Sequence, residues 1–450
     1  MNRKLILSIA IGNALVPLNS TMLVVALPAI ARDAGTDIAA ASWLITTYLI
    51  AMAALQPIGG RLGDRFGRRR LMLGALLYFG VASIGAALAV GLAPLAFFRL
   101  QQALAAALIV PNGLGILRRA AGDRAGMHFG LTGAMSGAGA TLGPLVGGLL
   151  TVIDWRLVFL VNVPVVALAF LLARSTIPDD RARPETRFDV IGVVFLGVLL
   201  SAAAWLLTSL GRGAPDGATA ALALAVLSGA VLFVRYELAQ PDAALPPALF
   251  RIRAFTAANA AIMFANLSLY ATLLAVPALL AADLSSTVLV GFALTALSAA
   301  MVVLGPATGW LVDRYGARWP PALGGMLIVA GCLVTGAVIT RSQFPVLLAS
   351  LLVLGAGVSL TFPATRVAAV DAVPAHYVAL ASGVVSTSRY FGGMLGAIVA
   401  GVAVSANDGS SAGILFGALA ASGALVSVAA LGLPGTVHAG EAAEVVSPGS

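Results

Sequence analysis

GRLGDRFGRRR, Gly60 to Arg70, stands between two long apolar runs. It gathers Asp64 and the arginines Arg61, Arg65, Arg68, Arg69 and Arg70 into one short segment of a chain that is only 10% charged. Charge at that density needs water, and Gly60, Gly63 and Gly67 let two helix ends and a tight turn approach one another. Asp64 can accept hydrogen bonds from a helix N-terminus or from a guanidinium. A solvated basic loop that obeys the positive-inside bias accounts for the composition. The order of residues asks for more, because GWLVDRYGAR repeats Gly60, Asp64, Arg65, Gly67 and Arg69 at a constant offset as Gly309, Asp313, Arg314, Gly316 and Arg318.

The flanks explain why charge is confined. With 60% hydrophobic residues among 450 and a mean hydropathy of +1.01, the chain has too little polar surface to clothe a water-soluble core. It reads as an integral membrane protein. Apolar runs of about 20 residues, enough for a helix to cross about 30 Å of hydrocarbon, recur between short charged segments, which excludes a β-barrel. Fourteen such spans are expected, the first near 5–30 and the last near 411–433, with the pair near 189–210 and 217–236 deciding fourteen against twelve. Alternate loops carry 20 and 4 of the 26 arginines and lysines, Arg366 being counted with the larger set and Arg99 and Arg389 left inside helices. That asymmetry puts both termini in the cytoplasm. The first span follows Arg3 and Lys4 but is longer than the roughly 7–15 apolar residues of a signal peptide, so it reads as a helix.

Several chemistries fall away. Lys4 is the only lysine, so no Walker A loop is present, and neither ATP nor any other cofactor is expected. The net charge of +8 follows from topology and not from nucleic-acid binding. Cys332, the single cysteine, lies in an apolar run and can form no intrachain disulfide. His128, His376 and His438 are scattered, so no metal site is expected.

The order G-x-L-G-D-R-x-G-R-R resembles the signature of the major facilitator superfamily between its second and third helices, where the family's Asp and Arg form a cytoplasmic latch between bundles. GAGATLGPLVGG, Gly137 to Gly148, resembles the antiporter motif of that superfamily's drug exporters, although such a glycine run also serves close helix packing. DWRLVFLVNVP, Asp154 to Pro164, and VALP, Val25 to Pro28, resemble the fourteen-helix drug:proton antiporters, so the resemblance covers nearly the whole chain. It implies an all-α polytopic fold with a six-helix bundle over 1–173 and a linker with two inserted transmembrane helices over 174–254. A second six-helix bundle follows over 255–434, then a disordered tail over 435–450. Ser136-Gly137 echoed by Ser382-Gly383, and Pro111 by Pro363, extend the repeat. Gly60, Asp64, Arg65, Gly67, Arg68, Asp313, Arg314, Gly143 and Pro144 are then the gating residues.

Arg99 lies inside a span, where an unpaired guanidinium costs about 2.5–3.5 kcal/mol on insertion scales. RLQQALAAA resembles the family's R-x-x-Q-G, whose arginine is linked to proton transfer, with Ala103 in place of the glycine. An arginine snorkelling from the outer end of the span is the alternative. The family's L-D-x-T in helix 1 is here Leu18-Asn19-Ser20-Thr21, and Asn19 cannot titrate. Asp33 and Asp189 are the best remaining carboxylates, each also explicable as a helix-end charge. The candidate substrate residues are Asn19, Thr21, Tyr48, Gln102, Asn112, Asn259, Asn266, Tyr270, Thr361, Phe362 and Arg389, any of which can instead be interhelical glue. Arg99 and Arg389 without a mid-membrane acid favour neutral, amphipathic or anionic substrates over cations.

The expected function is export of hydrophobic or amphipathic small molecules across the inner (plasma) membrane by proton antiport and alternating access. The partners are then a small-molecule substrate, protons and lipid, with the protein a monomer and no enzyme. An uncoupled facilitator is the alternative within transport, and a sensor or scaffold the alternative outside it.

Overall fold

The computed structural model describes residues 3–121, 135, 139, 142–179, 189–211, 216–240, 243, 247–280, 287–339, 343–373, 378–405 and 411–435. The regular elements among them are all helical. In chain order they are α1 Arg3–Asp33, α2 Ile38–Phe66, α3 Arg68–Leu88, α4 Leu92–Ala121 and α5 Leu142–Ile153. A short α6, Leu157–Leu160, leads into α7, Asn162–Thr176. Then come α8 Val190–Gly211, α9 Gly217–Ala239, a 3-10 turn Pro247–Arg251 and α10 Arg253–Leu280. The chain continues with α11 Thr287–Tyr315, α12 Trp319–Val338, α13 Phe344–Asp371, α14 Val378–Ser405 and α15 Ser411–Ala430. Among the described residues, 11 helices are long and apolar enough to cross a membrane.

The helices outrun the apolar runs that announce them, because backbone hydrogen bonding continues through charged ends where hydropathy stops: α1 spans Arg3–Asp33 where 5–30 is expected. Arg366 shows the same effect with a larger consequence. Counted with the loops on hydropathy, it lies within α13, five residues before its end, and is only part-exposed. The span expected at 157–173 is broken at Val161, with Pro164 in the first turn of α7, where its missing N–H costs no bond. Asp216 caps α9, its carboxylate accepting from Thr219 N at 2.8 Å, and these backbone bonds hold the carboxyl below its usual range.

The two copies of the charged signature fold alike. Gly67 and Gly316 have φ of 93° and 81°, a region open to glycine, and each N–H reaches back 2.9 Å to the carbonyl four residues earlier, Gly63 and Val312. Arg69 Nη2 donates to Arg174 O at 2.9 Å at the end of α7, and Arg69 also pairs with Asp179. Its counterpart Arg318 donates through Nε to Leu433 O at 2.8 Å, just past the end of α15. Each turn is thus tied to the last helix of its own set.

Packing follows the same division. Helix α1 packs on α2, α4 and α7, and α3 on α4 and α7, while α10 packs on α13, α14 and α15, and α12 on α13 and α15. The sets meet where α2 lies along α14 and α1 touches α10. Thr387 Oγ1 donates to Ala53 O at 2.8 Å across that seam, and Gly401 faces the Ser42 side chain near the far end. The start of α14 therefore lies toward the Gly67 turn, as does the end of α13. Helix α8 rests on both α2 and α14, and α9 packs on α8.

Candidate substrate site and gating elements

Arg99 is wholly buried, so the snorkelling alternative fails. Its Nη1 donates to Gln102 Oε1 at 2.8 Å, one turn along α4, and its guanidinium carbon sits 4.3 Å from the Tyr48 ring centroid. Gln102 Nε2 donates to Ser83 Oγ at 2.8 Å on α3. Asn19 Nδ2 reaches Gln102 Oε1 at 3.5 Å, and Asn162 Nδ2 donates to Asn19 Oδ1 at 3.0 Å. Five helices, α1, α2, α3, α4 and α7, therefore converge on one buried cation. Its surroundings are neutral, and the face of a desolvated aromatic ring is worth about 2 kcal/mol to it. Arg99 Nε and Nη2 and the Tyr48 hydroxyl have no hydrogen-bond partner among the described residues. No acidic side chain among the described residues forms an ion pair with Arg99.

A second polar cluster lies across the seam. Arg389 Nη2 donates to Tyr390 Oη at 2.8 Å, and Asn266 Nδ2 donates to Arg389 O at 2.6 Å, binding α10 to α14. Ser388 Oγ donates to Asn259 Oδ1 at 2.8 Å along the same contact. Tyr270 is within electrostatic reach of both Arg99 and Arg389, and Tyr48 of both Tyr270 and Tyr390, so the tyrosines join the two clusters. Arg366 in turn interacts with Arg389 and Tyr390.

The other candidates have structural positions. Thr21 bonds back to Pro17 O at 2.9 Å and packs on Gly143 of α5. A Cβ on Gly143 would run into Thr21 Oγ1 and stand 3.0 Å from Leu18 O, and one on Gly147 would stand 2.8 Å from Met22 Cα. This glycine ladder is what lets α5 lie against α1. The Pro144 carbonyl, beside that ladder, lies against Gly291 of α11. Asn112 Nδ2 donates to Gly59 O at 3.0 Å and Leu108 O at 2.8 Å, fastening α4 to α2. Thr361 bonds to Gly357 O at 2.9 Å and packs on Gly324, and Phe362 is part-buried against the core.

Asp33 and Asp189 sit at helix ends. Asp33 is exposed and takes Arg156 Nη2 at 3.1 Å and Trp155 Nε1 at 3.3 Å, tying the end of α1 to the segment before α6. Asp189 Oδ1 accepts from Gly192 N at 2.7 Å and Tyr236 Oη at 2.8 Å, joining α8 to α9. Arg65 and Arg314 are exposed, lying 5.4 Å over Phe66 and 5.3 Å over Trp310. Arg68 is buried and reaches Pro111 O at 3.5 Å. Gly60 lies beside Pro111. The side chains of Asp64 and Asp313 lie outside the described set.

Sequence reasoning missed Asn162, Ser83, Tyr390 and Arg366. Asn162 stands inside the quoted DWRLVFLVNVP, and a polar amide in an apolar run was its signal. Arg366 carried none that hydropathy could separate from a loop charge.

The family model described as "Major Facilitator Superfamily" matches residues 9–236 and 258–446. The uncharacterized MFS-type transporter YvkA of Bacillus subtilis (strain 168) is 34% identical over 406 residues, covering 88% of this chain and 90% of that protein. The tetracenomycin C resistance and export protein of Streptomyces glaucescens is 31% identical over 410 residues, covering 90% of this chain and 76% of that protein. A multidrug resistance protein B homolog of Mycobacterium tuberculosis (strain ATCC 25618 / H37Rv) is 30% identical over 386 residues, covering 84% and 71%. Among solved structures, the human organic anion transporter MFSD10 superposes with a TM-score of 0.65 at 18% identity, covering 95% of this chain and 99% of that one. At that identity the likeness shows the fold alone. The all-helical fold, the paired signature turns and the match over nearly the whole sequence make this chain a multi-pass membrane transporter of the major facilitator superfamily.

Proposed function

We propose that the protein exports hydrophobic or amphipathic small molecules across the plasma membrane by alternating access, as a fourteen-helix member of the superfamily. Two six-helix bundles, 1–173 and 255–434, would rock about the seam between α2 and α14, with α8 and α9 as the inserted pair and the termini in the cytoplasm. The observation that carries this reading is the buried polar core where the sets meet, with Arg99, Gln102, Asn19 and Tyr48 on one side and Tyr270, Arg389 and Tyr390 on the other. Such a cluster is costly in a membrane protein and marks the transport path in this class of architecture. The export direction follows the relatives named for drug resistance and export.

Proton antiport is the driving force inherited from the fourteen-helix resemblance. The uncoupled facilitator has a specific observation in its favour. Asn19 occupies the position of the family's aspartate and has no titratable proton, and an arginine keeps its charge across the working range. Counterflow in proteoliposomes, run with and without an imposed pH gradient, separates the two. Acceleration only under the gradient supports antiport, whereas equal rates assign facilitation. No protein-dependent flux of any hydrophobic dye would defeat the transporter reading itself.

A further inference from the structure

We infer that the substrate carries an anionic head group, whose charge completes an arginine site that forms no ion pair with an acidic side chain among the described residues. This rests on the transporter reading above and names the substrate class of that same core.

Arg99 spends one guanidinium nitrogen on Gln102 and leaves Nε and Nη2 unbonded, with the Tyr48 ring over the same buried guanidinium. These two donors suit an oxyanion, because a guanidinium offers paired N–H groups to two oxygens. Every side chain that bonds this cage, Gln102, Ser83, Asn19 and Asn162, is neutral.

Arg366 and Arg389 supply the second half of the argument. They lie on neighbouring helices, within electrostatic reach of each other, both part-exposed, and neither pairs with an acid among the described residues. Like charges on adjoining helices of a low-dielectric span repel, and an anion beside either one is attracted to both. Arg366 stands toward the Gly67 turn and Arg99 is covered by Tyr48, with Tyr270 in reach of both Arg99 and Arg389. The arginines thus form a path on which an acidic head would meet the part-exposed Arg366 and Arg389 first and the buried guanidinium after the tyrosines part. A fixed cation cannot be discharged by deprotonation, so an anionic cargo is what neutralises it in the cycle.

The test uses three compounds on one scaffold: a pyrenebutyl sulfonate, its neutral sulfonamide, and a pyrenebutyl trimethylammonium ion. Binding is read by tryptophan-to-pyrene energy transfer in nanodiscs, and movement in proteoliposomes against protein-free vesicles. The sulfonate should bind roughly tenfold or more tightly than the sulfonamide, the range expected for hydrogen bonds to a charged group, and should be the one carried fastest. Arg366→Gln and Arg99→Gln should each collapse the sulfonate-to-sulfonamide affinity ratio toward one. Asn19→Asp, which puts an internal carboxylate beside Gln102, should lower the same ratio and admit the ammonium, and it keeps the test decisive if a glutamine variant fails to fold. Equal binding of sulfonate and sulfonamide by the native protein overturns the inference. If the sulfonamide or ammonium is still carried, the transporter reading survives; if nothing is bound or carried, both fall. Chloride that tightens sulfonamide binding while the sulfonate gains nothing would assign the counter-charge to an inorganic ion and also overturn it.

Discussion

Oxidising a protein with Ser42→Cys and Gly401→Cys should stop transport completely, and reduction should restore it. A Cβ at Gly401 would stand 3.7 Å from Ser42 Oγ, so cysteine side chains at the two positions come within reach of each other. The two positions face each other on α2 and α14, on the side away from the Gly67 turn, farther along the seam from the bond between Thr387 and Ala53. If the two helix sets rock about a central site, this end of the seam must part in every cycle, and a covalent link forbids it. Cys332 is the only native cysteine and is fully buried, so it competes little for oxidation. The measurement is flux through fully cross-linked protein, with each single cysteine variant as the control. Native flux through a fully linked protein would mean that the seam does not open, and the rocking mechanism would be wrong.

How much of this was legible in the sequence depends on the range of the signal. The turn at Gly67 and its copy at Gly316 were readable because glycine, aspartate and arginine within ten residues specify a local backbone shape. What Arg69 and Arg318 hold was not, since their partners lie 105 and 115 residues away. That Arg99 and Gln102 share a helix face was readable from their one-turn spacing, and Asn19 stood out by its place in a motif, yet that the three share one cage with Ser83 and Asn162 is tertiary information. Thr21 and Thr361 looked like cavity residues because hydroxyls in apolar spans are conspicuous. Both bond back to a carbonyl four residues earlier and face glycines of a neighbouring helix, which hydropathy cannot distinguish from facing a passage. Arg366 was assigned to a loop because a window average moves the boundary to the first charge it meets. The helix ignores that boundary, and the charge ends up inside.

Two glycines of the same signature should respond in opposite ways to a side chain. At Gly63 a Cβ would stand 2.8 Å from Asn112 Cγ and 3.0 Å from Arg68 Cγ, with Asn112 Oδ1 closer still. Asn112 cannot retreat without giving up its bonds to Gly59 O and Leu108 O, and Arg68 is a buried side chain packed against Gly115. Gly63→Val must therefore spread α2 from α4 or evict Asn112, at about 1–3 kcal/mol for overpacking before any lost hydrogen bond is counted. At Gly60 the nearest atom to a new Cβ is Pro111 Cβ at 3.7 Å, ordinary van der Waals contact. Gly60→Ala should keep most of the flux, while Gly63→Val should melt several degrees lower and carry substrate at least tenfold more slowly, roughly the 1.4 kcal/mol equivalent. Asp64→Asn, adjacent in the chain, should abolish flux with insertion and melting temperature unchanged, because it removes charge and no volume. Thermal unfolding in detergent and flux in proteoliposomes, measured on all three, separate packing from latch: a Gly63→Val protein that melts and transports like the native one would refute the packing account, and full flux through Asp64→Asn would reduce the turn to a topology signal.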